Sequence, residues 1–275
     1  MTDSFQGKVA VVIGCSDERG TGWAVAEALA AAGAKLVVGA RNMKKLEVLA
    51  DKIGGTAVRC DIANEEQVTE VADAAVRVYG GLDIAVNCAF TGTASMIVDV
   101  DRSVLQEAME ANFFGNVFFV QKMARAIGSD GSIIIMSAMS TLTPNAPLFP
   151  YAAGKAAADC LVRFAAIEYG PRNIRVNSVL PGPILTASIA EILAAPGAMA
   201  VFERETPLKR VGYPADFVNA ILWLAGPAFV TGLNLPVCGG MQLARLPYFH
   251  EIPGLNQGDL PIVAKARGIV DGTAP

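Results

Sequence analysis

Tyr151 and Lys155 stand four residues apart in the run Tyr151-Ala-Ala-Gly-Lys155. On a helix, positions i and i+4 share one face, so the phenol and the ammonium would point the same way. A cation beside a phenol favours phenolate and lowers its pKa from the ordinary value of about 10. Such a pair can donate and accept a proton near neutral pH. Tyr-x-x-x-Lys alone is a common spacing, and a solvated helix face would show it equally. Its surroundings must decide.

The other reactive residues narrow the field. His250 is the only histidine and lies in the last tenth of the chain. A Ser-His-Asp or Cys-His centre would depend on that one residue, and a His-rich metal site cannot be built within one chain. Most hydrolase and metalloenzyme chemistry is thereby removed, no metal is expected, and His250 reads as a surface or interface residue. The cysteines Cys15, Cys60, Cys88, Cys160 and Cys238 are scattered without a Cys-x-x-Cys pair and read as buried free thiols.

Something must position the pair. The stretch from Tyr151 to about Tyr169 reads as a long helix. Ahead of it, Lys8-Val-Ala-Val-Val-Ile-Gly14 reads as a buried parallel strand. Cys15-Ser-Asp-Glu-Arg-Gly20-Thr-Gly22 follows, and then a helix from Trp23. Strand, glycine turn and helix suit a pyrophosphate, because the turn allows close backbone approach and the helix N-terminus supplies N–H groups and positive dipole. Further strands are read at 34–39, 56–60, 82–86, 131–137, 174–180 and 233–238. Helices are read at 43–53, 64–79, 100–127 (two segments, carrying Asn112) and 214–225. This alternation predicts a single-domain α/β fold with a Rossmann-like doubly wound parallel sheet. Ligands bind beyond the carboxyl ends of such strands, where Gly14, Asp61, Asn87, Ser137 and Pro181 fall.

About 20 residues past the glycine turn, an NAD site usually shows an acid for the ribose 2′-hydroxyl. Ala40-Arg41 stands there instead. Arg41, with Arg19 of the glycine loop, suits a 2′-phosphate, so NADP(H) is preferred and NAD(H) remains open. The alternative is that one or both arginines face solvent.

The chain has 275 residues, 53% apolar and 17% charged, which is ample for one large domain. A net charge of -4 without a basic run argues against nucleic acid. No apolar run reaches the roughly 18 residues of a membrane span, and the first residues carry no signal-peptide core, so a cytoplasmic location is expected. The domain is assigned to 1–240, with an apolar lid over the substrate at about 187–212. From 241 to 275 the composition shifts to Pro, Gly and Leu. That extension is expected to be an extended tail wrapping another surface, such as a neighbouring subunit, or else a loosely ordered terminus.

With these pieces placed, the chain resembles the short-chain dehydrogenase/reductase family from Lys8 to about Gly240. The glycine turn, Cys60-Asp61-Ile62, Asn87-Cys-Ala89, Asn112, Tyr151-x-x-x-Lys155, Arg175-Val-Asn177-Ser, Pro181-Gly182 and Thr231-Gly232 carry the resemblance in order and spacing. It implies hydride transfer between a nicotinamide and an alcohol or ketone. It implies Tyr151 as general acid/base, Lys155 as the residue that lowers its pKa and holds the ribose, and Asn112 as the holder of a relay water. It implies cofactor contacts from Gly14, Ser16, Gly20, Thr21, Gly22, Asp61, Ile62, Asn87, Ala89, Pro181, Gly182, Ile184 and Thr186, and a homo-oligomer, tetramer or dimer.

Two departures stand out. Five residues separate Gly14 from Gly20 where the common pattern has three, as in the enoyl-reductase branch, although that branch usually places six residues between tyrosine and lysine. The family's substrate-orienting serine, thirteen residues before the tyrosine, falls on Ala138. Ser137 or Ser140 substitutes if the loop is re-aimed; otherwise Tyr151 polarises the substrate alone. The readings are thus a carbonyl reductase or alcohol dehydrogenase for a fairly apolar or aromatic substrate, an enoyl reductase, or a nucleotide-binding homologue with weak catalysis. Phe90, Met96, Met139, Leu142, Phe149, Ile189, Met199 and Phe202 are candidates for the pocket wall.

Overall fold

The computed structural model describes residues 4–255, 261–271 and 273. Seven strands, β1 (Val9–Ile13), β2 (Lys35–Ala40), β3 (Thr56–Arg59), β4 (Ile84–Asn87), β5 (Gly131–Met136), β6 (Ile174–Pro181) and β7 (Asn234–Val237), form one parallel sheet in the order β3-β2-β1-β4-β5-β6-β7. The order reverses between β1 and β4, which opens a crevice beyond their carboxyl ends. There Ile13 pairs with Gly39 and Asn87, Asn87 with Ile135, and Met136 with Val179.

Alternation along the strands feeds two cores. Val9, Val11 and Ile13 of β1 with Ile133 and Ile135 of β5 face one layer, while Ala10, Val12 and Ile134 face the other. The first layer is closed by α3 (Glu65–Tyr79), α5 (Gly115–Ile127) and α6 (Phe149–Tyr169), the second by α1 (Thr21–Ala31), α2 (Met43–Ile53) and α9 (Pro214–Ala225). Each fully buried aliphatic chain contributes about 1.5–3 kcal/mol, so a sheet covered on both faces is a rigid base for its loops. Arg175 and Asn177 secure its far side. The Arg175 guanidinium donates to the carbonyls of Leu224, Ala225 and Gly226, and Asn177 bridges Val230 O and Leu233 N.

Helix ends follow their caps. The Asn42 and Asn64 side chains accept from the backbone N–H of Lys45 and Gln67, and Gly54 and Gly80 close α2 and α3 in the left-handed conformation. The two segments read over 100–127 are instead one run. Helix α4 (Arg102–Met109) passes through a π turn, Glu110–Phe114, directly into α5.

The lid stretch folds into two short helices, α7 (Ala190–Ala194) and α8 (Ala198–Glu205). Its stem is pinched where Leu185 N donates to Gly212 O and Gly212 N to Pro183 O. The extension is not simply extended. Residues 241–255 fold back over this chain's own lid, burying Ile252 among Leu193, Ala198, Val201, Phe202 and Val211. Arg245 pairs with Glu205 and Glu251, and Gly254 N donates to Pro196 O. Beyond it lies a further helix, α10 (Pro261–Val270), whose Lys265 pairs with Asp99. Residues 1–3, 256–260, 272 and 274–275, parts of the assigned domain and tail, lie outside the described residues. No helix among the described residues is long and apolar enough to cross a membrane.

Candidate active site

A cavity of about 720 Å³ opens at the crevice. One end begins where β1 turns into α1. Gly14 has φ +83°, and a Cβ there would lie 2.4 Å from Ala89 N; a Cβ on Gly22 would lie 2.4 Å from Gly14 O. Only glycine lets the two backbones touch. Gly20 caps α1 without a side-chain hydrogen bond, and the first turn carries no acid, so no side chain of that turn neutralises the positive end of the helix where Gly20, Thr21 and Gly22 line the cavity. Ser16, Thr21, Arg41, Asp61, Ile62 and Ala89 complete this end. A glycine-cleared cradle on an unshielded helix N-terminus, with Asp61 beyond it, fits a dinucleotide.

The other end holds the reactive pair. Residues Ser137, Tyr151, Lys155, Pro181, Gly182, Ile184 and Thr186 line it. Tyr151 is half-buried and meets Phe90 edge-on, with ring centroids 6.1 Å apart. Lys155 is 1% exposed, donates from Nζ to Met136 O at 2.7 Å, and stands 5.8 Å from the centroid of each of those rings. Burial pulls Lys155 down from 10.5 to about 8, against the opposing charge of Asp159. Burial also pushes the Tyr151 phenol well above its ordinary value, and the Asp159 carboxylate adds to the rise. The lowered phenol expected from the i, i+4 pair is therefore not found. Desolvation of the phenolate outweighs a lysine that is itself desolvated. Cys88 is pushed by burial up to about 12 and stays a neutral thiol.

Three expected residues do not line the cavity. Arg19 is exposed on the loop. Asn87 is buried behind it, where Oδ1 accepts from Ala89 N and Nδ2 donates to Asn116 Oδ1. Asn112 is buried in the π turn. Its Nδ2 donates to Thr91 O and Ala108 O, its main-chain carbonyl accepts from Asn116, and Oδ1 has no partner. Of the wall candidates, Phe90, Met139, Ile189 and Phe202 line the cavity, whereas Met96, Leu142, Phe149 and Met199 do not. His250 stacks on Tyr248 outside the cavity. Cys160 is exposed and Cys88 half-buried, against the expectation of uniformly buried thiols.

The structure adds residues that the sequence reading missed. Leu246 and Phe249 of the extension form part of the wall, and Asn145, fixed by Nδ2 donating to Pro247 O, lines the cavity with Oδ1 unpartnered. Thr93 and Ser140 add buried hydroxyls without partners. Ala138 is buried and also lines the cavity, flanked by Ser137 and Ser140. Asp159, one turn past Lys155, was legible only as another residue of a helical run.

Comparisons with known proteins agree with this geometry. Residues 14–242 match the family model described as enoyl-(acyl carrier protein) reductase. The chain is 35% identical over 245 residues to a 7alpha-hydroxysteroid dehydrogenase of Escherichia coli strain K12, covering 86% of this chain and 94% of the relative. It is 35% identical over 263 residues to 3beta-hydroxysteroid dehydrogenase 1 of Eggerthella lenta, covering 88% and 97%. Among solved structures, one of a short-chain type dehydrogenase/reductase from Mycobacterium ulcerans superposes with a TM-score of 0.86 at 30% identity, covering 92% of this chain and 99% of that one.

Proposed function

The chain belongs to the short-chain dehydrogenase/reductase family and is an alcohol/ketone oxidoreductase using a nicotinamide nucleotide, and on that premise we propose that it works with NADP(H) on a bulky, largely apolar alcohol or ketone. The observation that carries this reading is Tyr151 and Lys155 on one face of α6, opening into the same cavity as the glycine cradle.

The nicotinamide, when bound, supplies or takes up the hydride. The chain's residues do the rest. The cradle at Gly14, Gly20 and Gly22 receives the pyrophosphate, and Asp61 and Ile62 border the adenine. Ile184 and Thr186 fix the ring that carries the hydride. Tyr151 Oη gives its proton to the substrate oxygen in reduction and takes it back in oxidation. A phenol held above its ordinary value suits the donor role. Lys155 supplies positive charge beside it. Asn112 holds the relay water, which its buried, unpartnered Oδ1 supports. With Ala138 unable to donate, the second hydrogen bond to the substrate oxygen falls to Ser137 or Ser140, and the buried, unpartnered Oγ of each, on the cavity wall, supports either.

Arg41 at the cavity edge supports NADP(H); Arg19 gives no such support. Met139, Leu148, Ile192, Phe202, Leu246 and Phe249 support an apolar skeleton. The hydroxysteroid dehydrogenase relatives support fused-ring alcohols as first probes. The three-residue spacing of tyrosine and lysine favours C=O over C=C reduction, so enoyl reduction stays the second reading. Fluorescence titration with NADPH and NADH tests the cofactor: Arg41→Ala should weaken NADPH about tenfold or more, the loss of a charged phosphate contact, and leave NADH unchanged. Equal loss of both would place Arg41 outside the phosphate site. A fused-ring and aliphatic ketone panel, with activated enoyl compounds beside it, then tests the substrate class.

A further inference from the structure

Tyr151, Lys155 and Asp159 fall at i, i+4 and i+8 of α6, so they share a face. The pair at the cavity has been described, whereas Asp159 has no place in it. Asp159 is 6% exposed, and among the described residues its carboxylate makes no direct ion pair. It accepts from Ser178 Oγ at 3.3 Å. Ser178 Oγ also lies 2.8 Å from Asn234 Oδ1, and Asn234 Nδ2 donates to the Asp159 main-chain carbonyl. The hydroxyls of Ser137 and Thr141 face the carboxylate from farther off, since Ser137 Oγ has no partner within hydrogen-bond distance and Thr141 Oγ1 is given to Ala138 O.

A buried carboxylate with no bonded cation is costly to maintain. Burial does raise the Asp159 carboxyl above its ordinary value, and the three hydroxyls and the charge of Lys155 oppose that rise. What this anion faces is the buried end of the reactive pair. Lys155 has one hydrogen bond, to a neutral carbonyl, and is as desolvated as Asp159. Around the two stand Tyr151 on the same helix, Cys88 after β4, Met136 O and Ser137 at the end of β5, Thr141 on the turn after it, Ser178 on β6 and Asn234 on β7. The only other titratable groups in this set are Tyr151 and the Cys88 thiol.

We propose that Asp159 is a positioning residue for the proton-transfer pair: its fixed negative charge, one turn behind Lys155, keeps that lysine ionised in the desolvated site and sets the pH range over which Tyr151 works. This rests on the reading that Tyr151 and Lys155 handle the proton. The sign follows from Coulomb's law. Removing the anion weakens protonation of Lys155 and eases ionisation of Tyr151, so both titrate at lower pH. Ketone reduction needs Tyr151 protonated and Lys155 charged, so its alkaline limb moves to lower pH. Alcohol oxidation needs Tyr151 ionised, so its acid limb moves the same way.

The variant is Asp159→Asn, which keeps the acceptor for Ser178 and removes the charge; Asp159→Ser serves if it does not fold. Ser178→Ala disturbs the same network but keeps the charge. Two readouts are taken. One is the Tyr151 titration itself, from near-ultraviolet phenolate absorbance as the difference against Tyr151→Phe in each background, which needs no substrate. The other is the kcat–pH profile for NADPH-dependent ketone reduction. D159N should lower both by about one pH unit, the low end of the shift a nearby charge exerts, while S178A leaves both in place. An unmoved Tyr151 titration in D159N, or equal shifts in D159N and S178A, overturns the proposal. A shifted titration in a protein that reduces no carbonyl supports the coupling and overturns the functional reading instead.

Discussion

Ile252 offers a way to separate the lid from the rest of the fold. It is fully buried, yet it belongs to neither core of the sheet. Its neighbours Leu193, Ala198, Val201 and Phe202 are lid residues, with Val211 beside the stem. Phe202 in turn lines the cavity. Truncating such a side chain in a packed core costs about 2–5 kcal/mol, and about 3 kcal/mol is a factor of roughly 100 in an equilibrium. In Ile252→Ala that loss falls on docking of the lid against residues 241–255, held otherwise by the Arg245 ion pairs and the Gly254–Pro196 hydrogen bond. The substrate KM rises in inverse proportion to the docked fraction. With a docking free energy of about 1.4 kcal/mol, an equilibrium of about ten, that factor leaves about a tenth of the lid docked, so KM should rise about tenfold while NADPH affinity, set mainly at the other end of the cavity, changes little. The comparator is Leu49→Ala, equally buried but in the layer beneath α2. It should lower Tm by several degrees, at about 2–4 °C per kcal/mol, and leave KM alone. Steady-state kinetics, NADPH titration and thermal unfolding of both variants decide the matter. An I252A protein that loses Tm as L49A does, with KM unchanged, would refute the reasoning.

Two further outcomes follow from the site. If Ser140 supplies the missing hydrogen bond, Ser140→Ala should cut kcat by about 100-fold, the usual cost of one such donor, and Ala138→Ser should add little; the reverse pattern would mean that no second donor operates in the natural chain. Lys155 is held at about 8 against 10.5, so between those values the unfolded chain binds more protons than the folded one, and stability rises with pH across that window. The unfolding free energy of wild type minus that of Lys155→Met, from denaturant titrations at several pH values, should therefore increase from pH 8 to 10, whereas a flat difference would show that Lys155 is not desolvated.

Much of this architecture was legible in local signals. Asn42 and Gly54 bound α2, and Asn64 and Gly80 bound α3, because a cap and a left-handed glycine act on their own few residues. The order of apolar runs and helices predicted the parallel sheet, and residues at strand ends fell into the crevice because all strands point one way. What was missed depends on contacts distant in sequence. Nothing near Glu110–Phe114 marks a π turn, and Asn116 gains meaning only when Asn87 is brought against it. The fold-back of 241–255 onto 187–212 joins an apolar lid to a tail whose Pro, Gly and Leu content reads as extended chain. Leu246 and Phe249 enter the cavity only through it, and Pro247 O holds the Asn145 amide there. Asp159 had the right spacing but no sign of burial. The pKa of Tyr151 failed for the same reason, since a neighbour's charge can be read from spacing while desolvation cannot.

The most direct test of the central assignment is Tyr151→Phe, assayed with NADPH and a ketone that the wild type reduces. Removing the phenol hydroxyl should lower kcat by about 10²–10⁴, the range for a general acid, with NADPH affinity retained because the cradle is untouched. Turnover that persists within a few-fold of wild type would contradict the assignment of Tyr151 as the proton donor.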